Sequence, residues 1–326
     1  MLRDLPGPDD EAGAAAARHQ AQLTKPAGSL GRLEELAIWL ATWQGRQPPR
    51  LERSLTAVFA GNHGIAAHGV SAYPAEVTRQ MVKNFLDGGA AVNQLCGFAG
   101  SDLRVYEMDL DQPTADFSVA PAMSAEECAR AMTYGMLAVE QGIDVLQLGE
   151  MGIGNTTSAA ALCHALFGGR AADWVGRGTG IDETRLAHKT AVVEAAVARH
   201  RDALGDPLEI LRRLGGLELA AIAGAILAAR RARVPVLLDG YACTAAAAVL
   251  HVLDPAALDH CQVAHVSVEP GHGRLLDRLA KRPLLDLDMR LGEASGAVLA
   301  LLLLKAAVAC HTGMATFAQA GVSGPA

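Results

Sequence analysis

A glycine-rich turn from Gly149 to Ser158 stands between an apolar run and an alanine-rich stretch, which is the order of a strand, a loop and a helix. Free backbone N–H groups and the positive end of the helix dipole meet at such a point, so the turn favours an anion, above all a phosphate. The side chains from Asn155 to Ser158 are expected to serve as caps of this helix and as hydroxyl donors. Many glycine turns join strands to helices without binding a ligand, and that alternative stays open.

Two carboxylates have positions suited to chemistry. Glu150 lies inside the glycine turn, where it repels phosphate unless it faces ribose hydroxyls or a cationic ring of the ligand. Glu293 directly precedes an apolar stretch, so it is either the N-terminal cap of a buried helix or a general base whose pKa is raised by an apolar pocket. His63 has no partner carboxylate near it in sequence, and it is either a catalytic base or a structural hydrogen-bonding residue.

The composition excludes several classes of protein. The chain has 326 residues, 51% of them hydrophobic and 4% aromatic, enough for one large or two modest domains with a core of Ala, Leu and Val. A net charge of -7 without a basic run argues against nucleic-acid and membrane-surface binding. The N-terminal residues lack the pattern of a signal peptide, and six cysteines show neither a CxxC pair nor zinc spacing. We therefore expect a cytoplasmic protein that acts on small molecules.

Strand and helix patterns alternate along most of the chain, which predicts an α/β fold with a mostly parallel, Rossmann-like sheet and helices on both faces. The strands are predicted at 55–60, 102–109, 143–148, 234–239 and 263–268. Polar glycine loops follow several of these strands, and ligands of open parallel sheets bind at the carboxyl ends of the strands. The loops are therefore expected to converge on one cleft. The apolar stretch 294–310 is short for a membrane span and carries Lys305, so it is predicted to be a buried helix.

Five segments, in the same order, resemble those of the nicotinate-nucleotide–dimethylbenzimidazole phosphoribosyltransferases. They are Lys25–Glu34, Gly69–Val77, Gly149–Thr157, Leu238–Tyr241 and Met289–Gly296, so the resemblance extends from near residue 20 to near residue 315. It implies transfer of the phosphoribosyl group of nicotinate mononucleotide to 5,6-dimethylbenzimidazole. Nicotinate leaves, the anomeric carbon is inverted, and the product is α-ribazole 5′-phosphate, a precursor of the cobalamin nucleotide loop. No metal or other cofactor is implied, because the leaving ring nitrogen is already cationic.

The resemblance also implies roles for individual residues. Glu293 matches the general base that takes the benzimidazole proton, and Glu150 matches a carboxylate at the substrate site. The positions that match contacts to the phosphoribosyl group are Gly152, Gly178, Lys189 and Ser267. The positions that match the slot for the base are Tyr73, Met81 and Leu291. Asn62 stands where many relatives have Asp, and Met81 replaces a polar residue of some relatives, so a charged role at position 62 and the identity of the accepted base stay open.

The resemblance implies a small helical domain built from residues 1–40 and 291–326, which complete a large α/β substrate-binding domain at 41–290. It further implies a homodimer that acts on small molecules, in line with the charge pattern, which argues against nucleic-acid and membrane partners. One alternative is a non-catalytic nucleotide-binding sensor that uses the same loops. Another is the same transfer with a different acceptor, such as adenine or a phenol. A dehydrogenase is disfavoured because the glycines do not keep the dinucleotide spacing.

Overall fold

A five-stranded parallel sheet forms the centre of the protein, whose computed structural model describes residues 5–324. The strands are β1 Ser54–Ala60, β2 Asp102–Glu107, β3 Val145–Met151, β4 Val236–Leu238 and β5 Cys261–Val263. The helices are α1 Asp10–Gln22, α2 Arg32–Gln44, α3 Glu76–Leu86, α4 Ala91–Ala99, α5 Ala125–Met136, α6 Asn155–Phe167, α7 Glu183–Arg199, α8 Pro207–Leu214, α9 Leu217–Arg231, α10 Tyr241–Leu253, α11 Pro270–Leu279, α12 Ser295–Gly313 and α13 Phe317–Ala320. The strand order is β2-β1-β3-β4-β5, and the α/β prediction is confirmed.

Side chains alternate between the two faces of the sheet. Leu146 and Leu148 of β3 pack in a hydrophobic cluster with residues of α6, α9 and α10, whereas Val145 packs in a second cluster with residues of α2, α4 and α12. Because helices cover both faces, β1 is buried at every position, and its sequence is apolar except for Ser54 and Thr56. The many alanines of α6, α9 and α10 are fully enclosed, so the core is built from small side chains on closely packed helices.

The predicted strand at 263–268 differs most from the structure. β5 ends at Val263, and the chain then leaves the sheet. The N–H groups of Val266 and Val268 donate instead to the carbonyl oxygens of Leu285 and Met289 in the segment before α12. The alternating apolar pattern therefore marked an extended segment correctly, but its partner is a loop. The remaining predicted strands are present, with ends that differ by at most three residues.

The long apolar helix α12 packs one side into the second cluster, through Ala297, Val298, Leu301 and Leu304. Within residues 5–324 it is the one helix long and apolar enough to cross a membrane, and 44% of its most apolar window is buried inside the protein. It thus covers one face of the sheet as a core helix. Helix α2 contacts both α1 and α12, which brings helices from the two ends of the chain together. The division into 1–40, 41–290 and 291–326 stays a prediction.

Candidate active site

A cavity of about 700 Å³ lies at the carboxyl ends of β3, β4 and β5, the edge of a parallel sheet at which ligands bind. Eight of the nine predicted site residues line it, namely Tyr73, Met81, Glu150, Gly152, Gly178, Ser267, Leu291 and Glu293. The ninth, Lys189, is fully buried and lies behind the wall. The loops that follow the strands therefore converge on one cleft, as the sequence predicts.

Glu150 lies at the end of β3 on the floor of this cavity. Neighbouring protein atoms enclose it, yet part of its side chain stays open to the cavity. The Asn155 amide donates to its carboxylate, and its main-chain oxygen accepts the N–H of Glu293 at 3.1 Å. Burial raises the pKa of Glu150 to about 8, with further contributions from the charges of Asp239, Glu218 and Glu293. Glu150 is therefore mostly protonated at neutral pH.

Glu293 lies in a tight turn before α12, in which Gly292, Glu293 and Ala294 have φ angles of 81°, 62° and 64°. This turn packs so closely on β3 that a Cβ on Gly149 would lie 2.2 Å from the Ala294 nitrogen. The Glu293 side chain is 4% exposed, and its Oε2 has no hydrogen-bond partner among the described residues. Burial, followed by the charge of Asp239, raises its pKa to about 7. Ala294 occupies the N-cap position of α12, so Glu293 does not cap the helix.

Gly178 and Ser267 line another part of the cavity wall, and Lys189 is buried behind it. The Gly178 N–H donates to Glu269 Oε1 at 2.8 Å, and Lys189 Nζ donates to Thr156 Oγ1 at 2.8 Å and to a main-chain oxygen at 3.1 Å. Burial lowers the pKa of Lys189 to about 8, an effect that Glu269 partly opposes. Ser267 Oγ accepts the Glu269 N–H at 3.3 Å, so its own hydroxyl proton is available to a ligand.

The prediction that Asn155 to Ser158 cap α6 is wrong. The N-cap residue is Gly154, with a φ of 99° and no side-chain cap. Three of the polar side chains bond elsewhere instead: Asn155 to Glu150 five residues earlier, Thr156 to Lys189, and Ser158 Oγ to His63 Nδ1 at 3.0 Å. The N–H groups of the first turn are bonded within the glycine turn, Asn155 N–H to Gly152 O at 3.1 Å and Thr157 N–H to Gly154 O at 2.9 Å.

His63 lies beneath the glycine turn rather than in the cavity wall. Its Nε2 is 2.7 Å from Glu218 Oε1, and both side chains are fully buried. His63 therefore does have a partner carboxylate, contrary to the prediction from the sequence. The sequence does not reveal it, because Glu218 is 155 residues away along the chain. A Cβ on Gly152 would lie 3.3 Å from His63 Nε2, so the ring supports this part of the turn from below.

An apolar mouth opens the cavity to solvent. Tyr73 is 56% exposed and Leu291 is 54% exposed, and Met81 lines the cavity with them. Thr179 Oγ1 accepts the Ala72 N–H at 2.9 Å, which ties the Tyr73 loop to the Gly178 loop. A flat ring, a thioether and an aliphatic side chain together suit an aromatic ligand.

Three buried polar residues of the site were not singled out by sequence reasoning. Asp239 follows β4 directly, and His265 and Glu269 follow β5. Each is at most 5% exposed and each has one side-chain atom without a hydrogen-bond partner in the described part of the chain: Asp239 Oδ2, His265 Nε2 and Glu269 Oε2. Their place just after a strand was the signal that could have identified them.

Comparisons with known proteins match almost the whole chain. The profile of a family described as Phosphoribosyltransferase matches residues 5–322. A nicotinate-nucleotide–dimethylbenzimidazole phosphoribosyltransferase of Methylocella silvestris is 60% identical over 324 residues, which is 99% of this chain and 95% of the relative. One of Rhizobium etli is 59% identical over 324 residues, 99% of this chain and 96% of the relative. The crystal structure of CobT from Thermus thermophilus superposes with a TM-score of 0.91 at 45% identity, covering 97% of this chain and 100% of that one.

Proposed function

The chain belongs to this phosphoribosyltransferase family, and we propose that it transfers the phosphoribosyl group of nicotinate mononucleotide to 5,6-dimethylbenzimidazole, with release of nicotinate and formation of α-ribazole 5′-phosphate. One observation about the site supports the roles that we assign to its residues. A buried carboxylate with a raised pKa, Glu293, lies in the same cavity as an apolar mouth and a loop of N–H and hydroxyl donors. This is the combination that base activation and nucleotide binding require together.

The nucleotide would bind with its phosphate at the Gly178 end of the cavity. Ser267 supplies a free hydroxyl donor, and Lys189 has used two of its three N–H donors on described residues. The Gly178 N–H is held by Glu269, so it becomes available to phosphate only when that carboxylate moves aside. At the other end, the carboxyl of Glu150 would face the ribose hydroxyls of the nucleotide.

Glu293 would act as the general base. One nitrogen of the benzimidazole attacks the anomeric carbon from the face opposite nicotinate, so the configuration inverts. The bond from that carbon to nicotinate breaks, and its electron pair returns to the ring nitrogen and cancels the positive charge. Glu293 takes the proton of the other benzimidazole nitrogen. A base with a pKa of about 7 is suited to neutral pH, since about half of the molecules carry it ionised and it is still basic enough to take a proton.

Glu150, in its protonated form, would limit the negative charge of the carboxyl cluster around Glu293. With a pKa of about 8 it is mostly neutral at pH 7, so Glu293 ionises beside a protonated neighbour and not beside a second negative charge. A protonated carboxyl can also donate a hydrogen bond to a ribose hydroxyl. Because the carboxyls interact, the observed pKa values belong to the cluster as a whole.

The second candidate function is the same transfer to another base. Tyr73 and Leu291 are more than half exposed at the mouth, so the slot for the acceptor is open on its outer side. A missing methyl group in an apolar pocket changes the free energy of binding by only about 1–3 kcal/mol. Other benzimidazoles are therefore expected to react, with lower kcat/KM.

We also propose that the enzyme is a homodimer in the cytoplasm. Phe98 of α4 and Leu86 of α3 are 78% and 70% exposed, and large exposed apolar side chains are the kind that an interface between subunits covers. The six cysteines are all free thiols, as in a reducing compartment. Sedimentation equilibrium tests the first point: a monomer at micromolar concentration would contradict it.

The direct test of function uses purified protein with nicotinate mononucleotide and 5,6-dimethylbenzimidazole, followed by chromatography of nicotinate and α-ribazole 5′-phosphate. Formation of both products in equal amounts supports the proposal. Binding of nicotinate mononucleotide without turnover in the presence of any of several bases would favour the sensor alternative. Turnover with another base alone would favour the second candidate.

A further inference from the structure

Asp239 is a buried carboxylate that takes no part in the proposed transfer reaction. It follows β4 directly and is 0% exposed. Its Oδ1 accepts the N–H of Ala297, in the first turn of α12, at 2.9 Å. The N-cap residue of α12, Ala294, has no side chain able to accept a hydrogen bond. A residue 58 positions earlier in the chain therefore caps the helix that follows Glu293.

The turn that carries Glu293 needs support from outside. Glu293 and Ala294 both have positive φ angles, 62° and 64°, a conformation that costs free energy in residues other than glycine. Three hydrogen bonds hold its near side: Glu293 N–H to Glu150 O at 3.1 Å, and the N–H and Oγ of Ser295 to Gly292 O at 3.0 and 2.7 Å. The far side continues directly into α12.

We propose that Asp239 is a positioning residue for Glu293, which holds the turn in place by anchoring the first turn of α12 and which acts on the Glu293 carboxylate through its negative charge. The role rests on the proposed function, in which Glu293 is the base. Asp239 does not line the cavity, so it acts through Glu293 and not on substrate. The two parts of the role can be separated, because an amide keeps the acceptor oxygen and loses the charge.

Other ionisable groups face this pair from each packed element. They are Glu150 of β3, Glu218 of α9, Cys243 of α10 and His265 after β5. His265 Nε2 lies 3.7 Å from Asp239 Oδ1, at the limit of an ion pair. Burial raises the pKa of Asp239 to about 6, against the opposing effects of His265 and of the α12 N–H groups. All these groups stay in place in an Asp239→Asn variant, so a change in its pH profile reports the Asp239 charge.

The test compares Asp239→Asn and Asp239→Ala with the wild type. In Asp239→Asn we expect kcat on the alkaline plateau within about twofold of wild type, and an acid limb displaced to lower pH because the charge that disfavours ionised Glu293 is gone. In Asp239→Ala we expect kcat to fall by about tenfold or more at every pH, with KM for nicotinate mononucleotide within about threefold of wild type. Asp206→Asn is the matched control, since Asp206 caps the exposed start of α8 by accepting the Leu208 N–H. It should leave both profiles unchanged.

An unchanged acid limb in Asp239→Asn together with wild-type kcat in Asp239→Ala overturns the positioning role and leaves the proposed function intact. If the alanine variant does not fold, as judged by circular dichroism, the asparagine profile decides alone. A wild type that forms no product refutes the proposed function first, and this role falls with it. A crystal structure of Asp239→Ala adds a readout that needs no activity, namely whether residues 292–294 leave their left-handed conformation.

Discussion

The substitution Glu293→Gln removes a proton acceptor while it keeps the size and shape of the side chain. The turn around Glu293 is held by the Glu293 N–H to Glu150 O bond and the Ser295 Oγ to Gly292 O bond, neither of which uses the Glu293 side chain. The backbone is therefore expected to keep its conformation in the variant. Binding of nicotinate mononucleotide should change little, because the phosphate end of the cavity lies elsewhere.

The expected loss follows from the role of a general base, which contributes about 10²–10⁴-fold to the rate, or about 3–5 kcal/mol. We expect kcat to fall by at least about a hundredfold with KM for the nucleotide nearly unchanged. In the wild type, activity requires ionised Glu293, whose pKa is about 7. At pH 6 only about one-tenth of the molecules carry it, so the rate lies about tenfold below the plateau. The variant lacks this acid limb.

Stability gives an independent readout with a defined sign. The pKa of Glu293 is about 7 in the folded protein, above its value in the unfolded chain, so its contribution is fully present at low pH and is lost as pH rises through 7. Glutamine has no such loss. The variant is expected to be more stable than the wild type at pH 8.5, by an amount on the order of 3 kcal/mol, and equally stable at pH 4.5.

The assay measures nicotinate release at saturating concentrations of both substrates between pH 5.5 and 9, with urea unfolding at pH 4.5 and 8.5. A variant whose kcat stays within about threefold of the wild type would refute the assignment of the base. So would an acid limb that persists at the same pH in the variant, since another group would then be the one that titrates.

Further predictions concern the phosphate end, the packing of the turn and the acid stability of the core. The KM for nicotinate mononucleotide should rise above about pH 8 as Lys189 loses its proton. Glu269→Gln should move that rise to lower pH, because the negative charge of Glu269 raises the pKa of Lys189. Identical profiles of KM against pH in the variant and the wild type would argue against this. Gly149→Ala should lower kcat by about tenfold or more, because its methyl group would lie 2.2 Å from a main-chain nitrogen of the Glu293 turn. Gly205→Ala is the control: a methyl group there has no neighbouring atom within 4 Å, so its kcat should match the wild type. Equal kcat in the two variants would count against tight packing of the turn. The free energy of unfolding should fall by about 2 kcal/mol between pH 7 and pH 5 through His260 alone, because burial lowers the pKa of His260 to about 3 and only the unfolded chain takes up the proton. Urea titrations of the wild type and of His260→Gln at both pH values measure this. An equal loss of unfolding free energy in the two proteins would contradict it.

The location of the site could be predicted from the sequence because its signals are local. A strand, a glycine turn and a helix follow one another from residue 145 to residue 167, and Glu293 stands immediately before an apolar helix. The parallel arrangement then brings such loops to one edge. The pairing of Thr156 with Lys189 could not be predicted, because only the fold brings α6 and α7 together at that point.

The buried residues that hold the site from behind could not be predicted from the sequence, for a similar reason. The His63–Glu218 pair joins residues 155 positions apart, and Asp239 reaches α12 across 58 positions. Each contact is made by one side chain with no repeating pattern around it. The end of β5 was misjudged because an extended segment that pairs with a loop has the same apolar alternation as one that pairs with a strand.

A crystal structure of the Glu293→Gln variant with nicotinate mononucleotide and 5,6-dimethylbenzimidazole would show directly whether Glu293 is the base, because its loss should trap both substrates. We predict that the phosphate lies beside Lys189 and Ser267, that one benzimidazole nitrogen lies within hydrogen-bond distance of the residue 293 side chain, and that the other faces the anomeric carbon opposite nicotinate. A benzimidazole bound away from residue 293, or on the same face as nicotinate, would contradict the account.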